Sequence, residues 1–388
     1  MPFGYVFALA GLIALAGLAI MVAVNLLVLP TTTDYKALKG VEPSVAVLIP
    51  ARNEAENIEA CLRSILAQEY GNVQVWLYDD QSSDDTVAIA RGIGQEAGAG
   101  RLRVVEGKAP PPEGWLGKAN ALRNLYEAMR AESEPEYVLF TDADVTFEAG
   151  AIGHAVATAV AWKAGLVSIF PRQVVVTPAE RLAVPIALHW TVYNFLPLAV
   201  AFNTRIPAFA AANGQFMLFR REAYDACGGH GCVRDNVLED VGLAREVKRA
   251  GYRAILADGG ATVSTRMYRG LEEVWNGYSK NAYAFFGYNP LLLGLGVIVL
   301  AVLYVFPLAL AVWAFAGANF ILSVLFVAQY LVAVQTRLML AARFDYPWAD
   351  AFAHPVAIVF FIGIQLNSLR WHLTKRAKWK GRTLAGRG

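Results

Sequence analysis

Charge is scarce in this chain: Asp, Glu, Lys and Arg make up 17% of its 388 residues against 56% hydrophobic, and mean hydropathy is +0.39. That balance excludes an ordinary soluble enzyme and fits a protein partly embedded in a bilayer. Neither sign of charge dominates. The formal net charge of +2 gives no electrostatic case for nucleic-acid binding. Cysteine is rare too: Cys61, Cys227 and Cys232 make no disulfide framework and suit a reducing compartment. Internal repeats and low-complexity tracts are missing. The first apolar run lacks a basic n-region and a clear cleavage site, so it reads as a retained anchor rather than a signal peptide. The length accommodates one catalytic domain and several membrane helices.

That first run, residues 3–29, exceeds the roughly 20 apolar residues that span a bilayer. Three more follow at 291–313, 320–340 and 349–367, with Trp313, Tyr330, Trp348 and Trp371 near their ends, where amphipathic aromatics favour the interface. The implied plan is an anchor over 1–30, a catalytic domain over 41–288, a C-terminal transmembrane region over 289–370 and a basic tail over 371–388. Lys36 and Lys39 after the first helix predict a multi-pass protein of the inner cell membrane with a cytoplasmic catalytic domain. Three full spans would then put Arg370, Lys375, Arg376, Lys378, Lys380 and Arg382 outside, against the positive-inside tendency. The run 349–367, interrupted by His354-Pro355, is therefore read as re-entrant or interfacial. The uncharged stretch 182–202 is read as lying on the bilayer, because a span there would split the acidic residues described next between two compartments.

Between the apolar ends, strands alternate with helices. Strand-like runs cover 45–50, 73–80, 102–106 and 137–144. Helical patterns cover 54–68, with Ile58, Leu62, Ile65 and Leu66 on one face, and 118–130. Ser83 is expected to cap a helix starting near Asp84-Asp85. This alternation predicts an α/β fold with a doubly wound, mainly parallel sheet. Asp79-Asp80 and Asp142-Ala143-Asp144 end two of the strands, and Glu239-Asp240 opens a later helical stretch. Clustered carboxylates repel and resist desolvation. At the carboxyl ends of strands, where ligands bind, they imply a hard divalent cation bridging substrate phosphates.

Each motif also has a structural reading. Asp142-x-Asp144 suits a metal that leaves sites open for diphosphate oxygens, or forms a solvated turn. Asp79 and Asp80 suit a base or ribose, or prepare the next helix. The segment Pro50-Ala51-Arg52-Asn53-Glu54 brings polar groups to the same crevice, or is a loop and cap. Lys118, after a Gly-rich turn, reaches a phosphate or lies solvated on the surface. Glu239 and Asp240 complement a helix dipole, or Asp240 takes an acceptor's proton. Cys227, His230 and Cys232 offer too few ligands for zinc. Trp275, Tyr278, Tyr283, Phe285, Phe286 and Tyr288 form an interface belt or line an apolar acceptor groove.

Taken together, PARNEAENI (50–58), YDDQSSDDT (78–86), GWLGKANAL (114–122), FTDADV (140–145), ANGQFMLFRREAY (212–224) and LEDVGLAREVKRAGY (238–252) resemble the family 2 glycosyltransferases of GT-A fold over 45–289. The GWxGK, NGQ, SKN and WKGR elements look most like those of membrane-bound members linked to carotenoid and hopanoid pathways. The resemblance implies inverting transfer of a sugar from a nucleotide-sugar donor, UDP-glucose, with Mg²⁺ or Mn²⁺, to a lipid-like acceptor. By family position, Pro50, Ala51, Glu54, Asp79, Asp80, Lys118, Asp142, Ala143 and Asp144 hold the donor, and Asp142 and Asp144 the metal. Gly214, Gln215, Glu239 and Trp275 face the acceptor, and Asp240 is the base. Polymerising relatives carry a Q-x-x-R-W-type motif. Here RMYRGLEEVWNGYSKN (266–281) keeps Trp275 without an adjoining arginine, which favours a single transfer and leaves Arg266, Arg269 or Lys280 to supply the missing charge. The alternatives are another lipid acceptor (diacylglycerol, sphingolipid or polyprenyl phosphate), a processive synthase and a non-catalytic scaffold.

Overall fold

The computed structural model describes residues 3–36, 42–98, 100–374, 378–379 and 382–383; Lys39, Lys375, Arg376 and Lys380 lie outside them. The chain forms two compact units. One is built from Leu29–Val174 and Leu198–Met267, the other from Met1–Val28, Val175–Pro197 and Tyr268–Trp379.

The first unit is a twisted sheet with helices on its faces. Among the described residues its two sheets are built from β1 (Val45–Ala51), β2 (Val73–Asp79), β3 (Leu102–Glu106), β4 (Tyr137–Thr141), β5 (Val145–Phe147), β6 (Ala164–Phe170), β7 (Arg172–Gln173), β8 (Phe216–Arg220), β9 (Arg253–Asp258) and β10 (Val263–Thr265). The main sheet runs in the order β3-β2-β1-β4-β8-β6-β9, and β5-β10-β7 form a small second sheet. β1 is continuously apolar because helices cover both its faces. It pairs in parallel with β2 and β4, β2 pairs in parallel with β3, and β6 with β9. In the main sheet, among the described residues, only β8 opposes its neighbours, β4 and β6, while β10 runs antiparallel to β5 in the small one.

The chain winds outward from β1 to β3, then returns to the other side of β1 as β4. That reversal opens a crevice outside the carboxyl ends of β1 and β4. Beneath it, Leu48, Trp76, Leu125, Met129, Phe140 and Phe219 are buried together. Large apolar side chains of this kind contribute about 1.5–3 kcal/mol each. This core holds the crevice floor rigid.

One capping expectation fails. The helix after β2 begins at Thr86, not at Asp84-Asp85. Asp84 Oδ1 accepts from the Thr86 amide at 3.1 Å, whereas the Ser83 amide and hydroxyl both turn to Asn53 Oδ1, at 2.8 and 3.3 Å. A carboxylate is the stronger acceptor, so Asp84 takes the helix end and Ser83 serves the neighbouring loop.

Among the described residues, the second unit contains four helices long and apolar enough to cross a membrane: Phe3–Val28, Pro290–Ala316, Phe320–Phe344 and Trp348–Leu373. The run 349–367 falls within the last of these, a continuous helical segment. Pro355 occupies its first α-helical turn, where a missing N–H costs nothing. Outward side chains such as Ile13, Leu27, Leu291 and Val312 are exposed, an apolar surface suited to lipid. Helix contact is close: Gln329 Nε2 donates to the Ala8 carbonyl at 2.7 Å, and a Cβ on Gly11 would lie 2.9 Å from that nitrogen. The stretch 182–202 is broken into short helices, with a π-helical turn at Ile186–Trp190. Trp190 and Tyr193 in it are fully buried, and Asn25 Nδ2 donates to the carbonyls of Tyr193 and Leu196, both at 2.8 Å.

Candidate active site

The loops after β1 and β2 are stitched into one wall. Asn53 stands in the left-handed region (φ 52°), a conformation asparagine tolerates. From there its amide donates to Ser82 Oγ at 3.0 Å, and the Glu54 amide donates to Thr86 Oγ1 at 2.8 Å. Arg52 Nη1 donates to the Asp80 carbonyl at 2.5 Å, and the Asp80 amide to the Ala51 carbonyl at 2.8 Å. Asp79 and Asp80 are buried, and the Asp79 carboxylate accepts the Ser82 amide. Pro50, Ala51, Glu54, Asp79 and Asp80 thus share one side of the crevice.

The other side is built on β4, the helix Gly117–Glu132 and the helix Glu239–Arg249. Lys118 Nζ lies 2.6 Å from Asp142 Oδ1 and 3.2 Å from Glu239 Oε1, a two-pronged bridge between segments far apart in sequence. Burial alone would lower the Lys118 ammonium's pKa; Asp142, Glu239 and Asp240 outweigh it and hold the lysine charged. Asp240 caps its own helix, accepting from the Val241 amide at 2.8 Å, while its second oxygen accepts from the Gly214 amide at 3.0 Å. Burial and then Glu239 push the Asp240 carboxyl up to about 6, against the opposing pull of those amides and Lys118.

Asp144 is the unsatisfied member. Its Oδ1 is buried with no hydrogen-bond partner, and burial, Asp142 and Glu54 raise its carboxyl to about 7. An orphaned carboxylate oxygen beside further acids is what a divalent cation would relieve, so the donor set fits one. Among the described residues, no three His, Cys, Asp or Glu side chains converge as a closed cage. Two carboxylates would leave the remaining positions to phosphate oxygens and water.

Gly214 lies close against this cluster. A Cβ there would lie 3.3 Å from Lys118 Nζ and 3.5 Å from Asp240 Cβ. Gly214→Ala is expected to lower kcat/KM about tenfold with little change in Tm, because displacing the Lys118 ammonium by a few tenths of an ångström spoils alignment before it spoils packing. Kinetics paired with a melting curve would check this.

Sequence reasoning missed the support behind Gly214-Gln215. Asn213 is buried. Its amide donates to Ser168 Oγ at 2.7 Å, its Oδ1 accepts the Gln215 amide at 2.9 Å, and Gln173 Nε2 donates to Gln215 Oε1 at 2.9 Å. The NGQ tripeptide was the one visible hint of this network. His230 was also missed as a support. Tyr224 holds its Nδ1 at 2.7 Å, its ring packs edge-on to Phe140, and Cys227 and Cys232 donate their thiols to nearby carbonyls. Trp275 belongs to the other unit, on the helix Gly270–Phe285, where its ring packs against Phe360.

The crevice gathers acids around one lysine at the strand ends of a doubly wound sheet with one reversed strand. The chain belongs to the family described as "Glycosyltransferase like family 2", whose model matches residues 43–281, and it is a glycosyltransferase. It is 25% identical over 372 residues to a 4,4'-diaponeurosporenoate glycosyltransferase of Staphylococcus aureus, covering 89% of this chain and 90% of that protein. It shares its fold with a mannosyltransferase of Pyrobaculum calidifontis solved with GDP-Man and Mn²⁺, at TM-score 0.55 and 19% identity, over 94% of this chain and 99% of that one.

Proposed function

We propose that this protein transfers a single glucose from UDP-glucose, with inversion, to a hydrophobic membrane acceptor such as a carotenoid, an apocarotenoid acid or a hopanoid. The observation that carries this reading is the Asp142–Lys118–Glu239 bridge beside Asp240, with the orphaned Asp144 oxygen on the same rim. The name of the Staphylococcus aureus relative supports the acceptor class. Four apolar helices support delivery from a bilayer, with the catalytic unit on the cytoplasmic side of an inner membrane.

On this reading, the wall formed by Pro50, Ala51, Glu54, Asp79 and Asp80 receives base and ribose. Asp142 and Asp144 would hold Mg²⁺ or Mn²⁺, which when bound offsets the charge of the departing diphosphate. Lys118 keeps Asp142 and Glu239 in place and adds a positive charge beside the diphosphate. Asp240, steered by the Gly214 amide, takes the proton of an alcohol acceptor or orients an acceptor already ionised. Attack then comes from the face opposite the leaving group. Gln215 belongs to the acceptor side. The lack of an arginine beside Trp275 favours one transfer per acceptor.

The test is purified full-length protein in detergent with labelled UDP-glucose and candidate carotenoid acids, read by mass spectrometry of the lipid fraction. The expected product is acceptor plus one hexose; a hexose ladder, or label that never enters lipid, overturns the reading.

A further inference from the structure

Every residue of β6 is buried, and Ser168 within it is fully so. A hydroxyl in such a strand costs free energy unless it is hydrogen-bonded, whereas alanine would pack there without that cost. The Ser168 hydroxyl serves the loop that leads into β8. It accepts from the Asn213 amide at 2.7 Å and donates to the Asn213 carbonyl at 3.1 Å. One side chain thus grips both backbone polar groups of Asn213, which fixes the direction of the next amide, that of Gly214.

That amide orients Asp240 from outside its own helix. Asp240 Oδ1 accepts from Val241, which moves with it, while Oδ2 accepts from Gly214 at 3.0 Å. A second strand hydroxyl steadies the following peptide, Thr141 Oγ1 donating to the Gln215 carbonyl at 2.7 Å. Because β8 runs against both β4 and β6, it starts at their carboxyl ends, and the loop before it is pinned between the two hydroxyls. Thr141 precedes Asp142, and from Asp142 the ion pairs through Lys118 to Glu239 lead back to Asp240, closing a ring. The Ser168 hydroxyl bonds to no member of that ring and holds it through Asn213, the residue before Gly214.

We infer that Ser168 is a positioning residue for sugar transfer: through the Asn213 backbone it aims the Gly214 amide, and with it Asp240, at the acceptor. The inference rests on Asp240 as the base proposed above. A clamp of this kind acts on rate rather than on donor binding. Misplacing a reacting group by a fraction of an ångström spoils the line of attack and leaves the β1–β2 wall alone.

The test is a double-mutant cycle on full-length protein in detergent, with labelled UDP-glucose, following transfer to a carotenoid alcohol and to water. Ser168→Ala should lower kcat about tenfold and leave the KM for UDP-glucose within about twofold. In an Asp240→Asn background the same substitution should change kcat less than about twofold, because the aim of a missing base is immaterial. Ser168→Cys keeps the volume and a weak donor, so it should lose less, and it serves if the alanine variant does not fold. Hydrogen exchange gives a readout independent of the acceptor: the Gly214 amide should exchange about tenfold faster in Ser168→Ala. Equal losses of kcat in both backgrounds, a loss carried by KM, or unchanged exchange at Gly214 overturns the positioning role alone. Native turnover in Asp240→Asn, or a native protein that neither transfers nor hydrolyses, overturns the base reading or the proposed function itself, and this inference falls with it.

Discussion

Asp144→Asn is expected to lower transfer about 10³-fold while making the protein, without divalent ions, more heat-stable than the native chain. Both effects have one cause. The Asp144 carboxylate is buried, has an unpartnered oxygen, and lies in the field of Asp142 and Glu54. Its folded-state carboxyl holds a proton up to about 7, whereas a free aspartate releases it near about 3.9. Ionised Asp144 therefore weakens the native fold as pH rises through that window, and asparagine removes the weakness above it. Asparagine also removes the charge a cation would neutralise, and the cation's several kcal/mol of transition-state stabilisation go with it, about a thousandfold in rate. Melting curves with and without Mn²⁺ separate the two. The native protein should gain stability on adding the ion, and the variant should not. A variant that keeps the Mn²⁺ shift would take Asp144 out of the metal site.

The second large effect falls on Asp240. With an alcohol acceptor, Asp240→Asn should cost about 10³-fold in kcat/KM, within the range of general-base catalysis. Asparagine keeps one oxygen for the Gly214 or Val241 amide, so the fold should survive. The native pH profile supplies the control. Proton transfer needs ionised Asp240, so kcat/KM should fall tenfold per pH unit below about 6 and level off above, since burial and then Glu239 raise this carboxyl. Glu239→Gln deletes the like charge and should move the acidic limb to lower pH. A limb that stays put, or native turnover in Asp240→Asn, would put the base elsewhere.

The strands were legible because a mostly apolar run of five to seven residues bounded by polar loops suits little besides a buried strand, as at β1, β2 and β4. The acids that follow β2 and β4 marked the crevice. What stayed illegible was long-range. Nothing near Lys118 in sequence announces that Asp142 and Glu239 will share its ammonium. The Gln173–Gln215–Asn213 network joins segments by side-chain amides that any loop might carry. The reversed strand β8 reads as apolar like its neighbours, because direction leaves no trace in composition. Ser83 looked like the cap, and only the position of Asn53, which takes the Ser83 amide and hydroxyl, left that end to Asp84.

The path of the chain between β7 and β8 bears on any attempt to prepare this enzyme in soluble form. It leaves the sheet at Val174, contributes Val175–Pro197 to the helical unit, and rejoins the sheet unit at Leu198. Trimming both termini would still leave an internal loop carrying Trp190 and Tyr193, stripped of the protein that buries them. A water-soluble catalytic fragment calls for replacing that loop with a polar linker between Val174 and Leu198, besides deleting the helices at either end.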